Sequence, residues 1–313
     1  MRPRLVERSS RMCYGLVVLL ALSSLSASAV EARSAGDAAH FLRDGLGASG
    51  RAVGSAHIAL ASDYTAAFWN PAPAVQSSST VVGGALERRN AGLFTFSVLG
   101  GGHVSEAWSA GFVVVTSDIY DVYHAAAGLR FGSASVGVGL RSYQFGVPGD
   151  RGSGLGLDVG ARYAFAVGHS TVALAVASRD IGWTPIRWGE PDSLVVDRAS
   201  WVNRLAVAVK VPIEHGKWTF ELDGELATRR PPEVGESDYW MRAGDLSISF
   251  GTTFRWEGIS VRAGIQRYDL LSSSARLRPT LGFGIAIGGL SVDLALIPSP
   301  LGSTYLGGFQ VEL

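Results

Sequence analysis

Lys217-Trp218-Thr219-Phe220-Glu221-Leu222-Asp223-Gly224-Glu225-Leu226-Ala227-Thr228 separates by parity into two unlike faces. Trp218, Phe220, Leu222, Gly224 and Leu226 lie on one side of an extended chain, with Thr219, Glu221, Asp223 and Glu225 on the other, because successive strand side chains point to opposite faces. Leu246–Trp256 repeats the division, with Ile248, Phe250, Phe254 and Trp256 opposite Ser247, Ser249, Thr253 and Arg255. In 154–167, Leu155, Leu157, Val159, Tyr163 and Phe165 stand opposite Asp158 and Arg162. A soluble sandwich also alternates. Here, however, the apolar face is uninterrupted and aromatic, whereas the other mixes Gly, Ala, Ser and single charges. That is the pattern of a wall with hydrocarbon outside and a polar lumen inside.

Working outward, the same reading gives fourteen strands: 80–88, 91–99, 106–116, 122–131, 133–145, 154–167, 170–180, 199–213, 216–228, 244–257, 259–268, 277–288, 290–297 and 303–313. From the fourth strand on, every second link is a tight turn: Gly132-Ser133, Gly168-His169, Glu214-His215-Gly216, Gly258 and Gly288-Gly289. The links between them, at 146–153, 181–198, 229–243, 269–276 and 298–302, are longer and polar. A transmembrane antiparallel barrel of outer-membrane type has this parity, and an even strand number places both termini in the periplasm. The fold class expected is therefore all-β: a closed fourteen-stranded transmembrane barrel over 80–313.

Residues 1–29 read as a cleaved secretory signal, with a basic start (Arg2, Arg4, Arg8, Arg11), an apolar run from about Tyr14 to Leu22, and small residues ending at Ala27-Ser28-Ala29. Val30-Glu31-Ala32 is the alternative site. The single cysteine, Cys13, leaves with that segment, so neither disulfides nor thiolate metal sites are expected in the mature chain. Cleavage after Ala29 leaves 23 of the 27 basic and 26 of the 27 acidic residues, a net charge near −3 with no basic tail. Nucleic acid is not an expected partner.

Inward charges are of both signs. Arg204 and Lys210 lie on the strand before the acidic row of Glu221, Asp223 and Glu225, with Arg255 beyond, so cross-strand ion pairs bracing a narrow lumen are expected. Asn203 falls on the outward face, where parity offers no reason for it. Trp183, Trp188, Tyr239 and Trp240, in the two longest loops, are read as girdle residues at the outer interface. No metal-ligand spacing links the six histidines, and the Gly-rich runs lack a Lys-Ser/Thr ending. No convergent nucleophile, base and acid can be named, so neither an enzyme nor a cofactor is expected.

Residues 36–79 do not alternate, and 30–79 are read as a plug or hatch segment. Gly45-Leu46-Gly47-Ala48-Ser49-Gly50-Arg51-Ala52-Val53-Gly54 is glycine-studded, and Asp63-Tyr64-Thr65-Ala66-Ala67-Phe68-Trp69-Asn70-Pro71-Ala72 reads as a short helix capped by Asp63 and ended by Pro71. This arrangement resembles the PorV/PorQ family, relatives of the FadL-type transporters, which share a Gly-x-x-x-Arg-Ala-x-Gly segment and an Asp-x-x-Ala-x-x-Trp-Asn-Pro-Ala motif. Gly47, Arg51, Ala52 and Gly54 match the first; Asp63, Ala66, Trp69, Asn70, Pro71 and Ala72 match the second, with Pro73 where the family often has Gly.

The resemblance implies a fourteen-stranded barrel in the outer membrane of a Gram-negative-type bacterium. It also implies support of transport of small or hydrophobic molecules or of protein secretion, with secretion-system proteins or a hydrophobic ligand as partners beside outer-membrane lipid. A FadL-type conduit further implies a plug kink, a wall opening and an apolar pocket near Phe68 and Trp69. The alternative is a non-conducting scaffold that docks partners at the surface. Tyr305, Gly307, Phe309, Val311 and Leu313 resemble the C-terminal signal read by the barrel-assembly machinery. A plug folded into the lumen is expected to pair Arg51 with Glu221 or Asp223.

Overall fold

The computed structural model describes residues 39–73, 79–89, 92, 94–147, 150–189, 195–228, 244–267, 277–299 and 302–313. The signal segment, the 229–243 loop with Tyr239 and Trp240, and the 269–276 loop lie outside the described residues.

Sixteen strands form one sheet, and fourteen of them close into an antiparallel barrel. They are β1 (Ser79–Arg89), β2 (Phe94–Val104), β3 (Trp108–Thr116), β4 (Tyr120–Phe131), β5 (Ala134–Val147), β6 (Asp150–Val167), β7 (Ser170–Arg179), β8 (Pro185–Trp188), β9 (Val195–Arg198), β10 (Trp201–Ile213), β11 (Gly216–Thr228), β12 (Gly244–Trp256), β13 (Ile259–Arg267), β14 (Leu277–Ile287), β15 (Leu290–Ile297) and β16 (Thr304–Glu312). Pairing of β1 with β16, from Val81↔Glu312 to Arg88↔Tyr305, closes the ring and leaves it without a free edge. The turns at 132–133, 168–169, 214–215, 257–258 and 288–289 all lie at one end, as expected, but the link expected at 146–153 is not a long loop: β5 and β6 stay paired out to Val147↔Asp150.

The two faces are as unlike as the sequence requires. Leu140, Leu155, Leu205 and Leu281 point outward and are more than half exposed, while Arg141, Asp158, Asp223 and Glu87 point inward with exposures of 1% or less. A surface so apolar is stable only against hydrocarbon, and the inward charges persist by pairing.

β8 and β9 depart from the expected strand list. β7 stops at Arg179, the chain leaves the wall over 180–184, and β8 resumes on β6 with Gly152↔Trp188 and Ser153↔Arg187. The excursion needs left-handed backbone at Asp180, Gly182 and Trp183. Trp183 lies over the outer face, its ring 5.0 Å edge-on to Trp201 and its indole N–H donating to the Thr228 hydroxyl at 3.1 Å. This accounts for Asn203. It does face outward, where its amide oxygen accepts the Ser178 hydroxyl at 2.9 Å, and that hydroxyl in turn accepts the Trp201 indole N–H at 2.8 Å. The girdle reading of Trp183 and Trp188 is corrected as well. Trp183 is buried, and Trp188 turns into the barrel over Gly152, 5.4 Å from Phe145.

β2 is the other shift, at 94–104 rather than 91–99. Gly100-Gly101-Gly102 reads as a turn by composition but continues the strand. The Tyr64 carbonyl lies where a β-carbon of Gly100 would be, so the site admits only glycine.

Candidate functional site: a plugged lumen

Residues 39–73 occupy the lumen as a chain of short turns. A 3-10 turn (His40–Leu42) is followed by helix α1 (Ala48–Ala52) and helix α2 (Ala66–Trp69). Helices this short have no stability of their own and exist through tertiary contacts. Trp69 supplies the centre. It is fully buried, its indole N–H shared between the Leu46 carbonyl at 3.2 Å and the Thr65 hydroxyl at 3.1 Å. A β-carbon at Gly50 would lie 2.6 Å from its ring, which explains glycine there. Gly54 is demanded twice: its φ is +67°, and a β-carbon would lie 2.8 Å from the Ile265 backbone nitrogen on the wall. Gly47, with φ +78°, begins α1.

Asp63 works two residues ahead of the cap position of α2, which is Thr65. Its carboxylate accepts the Thr65 N–H at 2.8 Å and hydroxyl at 2.6 Å, and the Ser49 hydroxyl; the His57 ring stands 3.5 Å away. Burial alone would raise its pKa. The His57 contact and the Ser49 and Thr65 bonds outweigh that and hold it below the usual carboxylate range. A depressed folded-state value means that the stabilisation is fully present above the unfolded value of about 3.9 and is lost as pH falls below it. Plug docking should accordingly be indifferent to Asp63 titration between pH 7 and 5. Asp63→Asn should weaken docking at pH 7 by about 1–3 kcal/mol, as a charged acceptor is lost. Hydrogen exchange over 39–73 at the two pH values reads both effects.

Asn70 ends α2 in extended conformation and ties plug to wall, donating to the Ile58 carbonyl at 3.3 Å and the Val176 carbonyl at 3.4 Å, while its own oxygen accepts the Ala72 N–H at 2.9 Å. The Asn70 side chain and Pro71 carbonyl press on Gly160 and Gly137 so closely that neither wall position admits a β-carbon.

The charges assemble differently from expectation in one respect. Arg51 does not reach Glu221 or Asp223. Its guanidinium donates to the Asp44 carbonyl at 2.7 Å and lies 3.4 Å from Glu87 on β1. The reason is position: α1 sits against β13–β16, away from β11. Glu221 instead accepts the Ala59 N–H at 2.6 Å. Arg204 bridges Asp223 at 2.8 Å and Glu225 at 3.5 Å and donates to the Ser55 carbonyl at 2.6 Å. The plug cation that meets the acidic row is Arg43, 3.0 Å from Glu225 and 2.7 Å from Asp245. Lys210 is in register with Thr219, and Lys210 and Arg255 line a recess at the tight-turn end, apart from these pairs.

Phe68 and Trp69 line no apolar pocket. Phe68 is clamped between the guanidiniums of Arg141 and Arg179, 4.9 and 5.1 Å from its ring, and Arg204 lies 5.3 Å from Trp69. The aromatic cluster is at the long-loop end, packed and largely buried. Phe41 stacks on Tyr120 at 3.7 Å, and Phe96, Phe145, Tyr143 and Trp188 continue the cluster with ring separations of 5.4–6.1 Å. Parity with His124 and Arg141 places Tyr120, Tyr143 and Phe145 on the otherwise polar face, a signal in the sequence, whereas Phe96 alternates with Thr95 and Ser97 as a lipid-facing residue would and is turned inward only in the fold.

No family model and no curated protein matches the chain. Solved structures do. The Ralstonia pickettii toluene transporter TbuX aligns with a TM-score of 0.56 and 12% identity over 87% of this chain and 100% of that one. The CymD monoaromatic hydrocarbon channel gives 0.54 and 12% over 86% and 97%. The Pseudomonas putida toluene transporter TodX gives 0.50 and 11% over 86% and 96%. What these structures share with the chain is the fold, a closed antiparallel β-barrel.

Proposed function

We propose that the chain is an outer-membrane barrel that passes small apolar molecules through a lumen closed by its N-terminal segment. The observation that carries this reading is the aromatic cluster inside the long-loop mouth. A water-filled pore has no use for five rings on its inner face, with Phe41 of the plug packed among them, whereas an apolar solute is drawn to such side chains. TbuX, CymD and TodX are named as a toluene transporter, a monoaromatic hydrocarbon channel and a toluene transporter, which supports the same substrate class. In a cell envelope the long-loop end would face outward and the tight turns the periplasm.

Toluene uptake by cells carrying the full-length protein should exceed that of cells without it. Phe145→Ala together with Tyr120→Ala should reduce the uptake several-fold while the barrel still assembles. Equal uptake with and without the protein would overturn the proposal.

A second reading keeps the finer resemblance. In it, the chain is a PorV/PorQ-type barrel that conducts nothing and presents its long loops to secretion-system proteins. One observation favours it: Arg43, Arg51 and Arg204 lock the plug through contacts at most 4% exposed on the arginine side. Co-purification of a secretion component with the full-length protein, with no toluene uptake, would decide for it.

A further inference from the structure

At the tight-turn end, the plug and the wall enclose an open recess of about 270 Å3. One side of it is a row of cations on consecutive strands: Lys210 on β10, Lys217 on β11, Arg255 on β12 and Arg262 on β13. Lys217 and Arg255 are direct cross-strand partners, and like charges so placed repel. The carboxylates of the recess relieve this in part at Arg255, which feels Asp293 and Glu312, while Lys217 faces Arg255 and Lys210. Asp293 is committed to Arg262 at 2.6 Å, Glu221 accepts the Ala59 N–H, and Asp63 is held by Ser49, Thr65 and His57. Glu312, on β16, lines the same recess and faces Arg255 across it. Between the cations, Thr253 and Ser260 present hydroxyls, that of Ser260 accepting the Arg255 Nε–H at 3.1 Å, while the Thr219 hydroxyl donates to the Thr253 carbonyl at 3.4 Å and the plug contributes the His57 ring.

We propose that this recess is an oxyanion-binding site, taking the phosphate or carboxylate group of a small molecule between Lys217 and Arg255. Two cations and adjacent hydroxyls supply charge-assisted donors from several directions, and a bound anion turns the cross-strand repulsion into shared attraction. Lys217 and Arg255 keep contact with water, so the anion exchanges freely with the solution at that end. The site goes beyond the transport reading and does not require conduction.

Calorimetric titration of the full-length protein, in an uncharged detergent at low ionic strength, tests it with inorganic phosphate and with acetate as separate probes. Saturable binding of one anion per chain is expected. Lys217→Gln with Arg255→Gln should weaken it at least tenfold, Lys217→Arg should retain it, and Arg88→Gln at the far end should leave it unchanged. Tighter phosphate than acetate assigns a phosphate group, and the reverse a carboxylate. A short-chain phosphatidate that competes better than phosphate assigns a lipid headgroup, and one that does not assigns a free anion. Lys217→Gln alone serves if the double variant fails to assemble. Absence of saturable binding with both probes, or binding that survives the glutamine substitutions, overturns the proposal.

Discussion

Trp69→Ala should undock the plug and leave the barrel standing. The indole is wholly buried, makes two hydrogen bonds within the plug, meets His57 and Phe68 edge-on at 5.4 and 5.8 Å, and carries Arg204 on its ring. Truncating a large buried aromatic typically costs about 3–5 kcal/mol. The loss falls on a segment of short turns with little local stability, while the wall has its own closed ladder of hydrogen bonds. Trypsin should then cut at Arg43 and Arg51 in the variant and not in the parent. The barrel should still resist dodecyl sulfate without heating. A variant whose plug stays protected would remove Trp69 from its central place.

The second large effect is expected from Arg51→Glu. The change sets a carboxylate against Asp44 and the fully buried Glu87 in place of the cation that now serves both. Removing one partner of a buried pair costs about 3–5 kcal/mol, and reversing its sign costs at least as much. Glu87 keeps Arg89, at 2.6 Å, so β1 itself should pair normally with β16. The plug should again become open to trypsin at Arg43. The discriminating control is Arg51→Lys, which retains charge but not the two-pronged contact, and should fall between parent and Arg51→Glu in protection.

The wall was legible because its cause is local. Alternation in Lys217–Thr228 or Leu246–Trp256 records which face meets hydrocarbon, and turn lengths record which end is which. Only where another segment intrudes does the local signal mislead: the glycine run of β2 is shaped by the Tyr64 carbonyl, and β7 is interrupted to lay Trp183 across the outer face. The lumen was legible in kind but not in pairing. Arg204 with Asp223 follows from adjacent strands, but no periodicity relates Arg43 to Glu225, 182 residues away, or Arg51 to Glu87. The matched glycines and the Trp69-Asn70-Pro71 run proved to be where the plug touches itself and the wall, at Gly54 against Ile265 and Asn70 against Gly160.

Single-channel conductance of the full-length protein against a variant lacking residues 30–75 tests the central claim most directly. If the segment is a folded stopper, the parent is silent and the deletion opens a steady conductance, since its removal vacates the space now filled by α1, α2 and their side chains. Equal conductance in both forms, or silence in both, would contradict a lumen closed by its N-terminal segment.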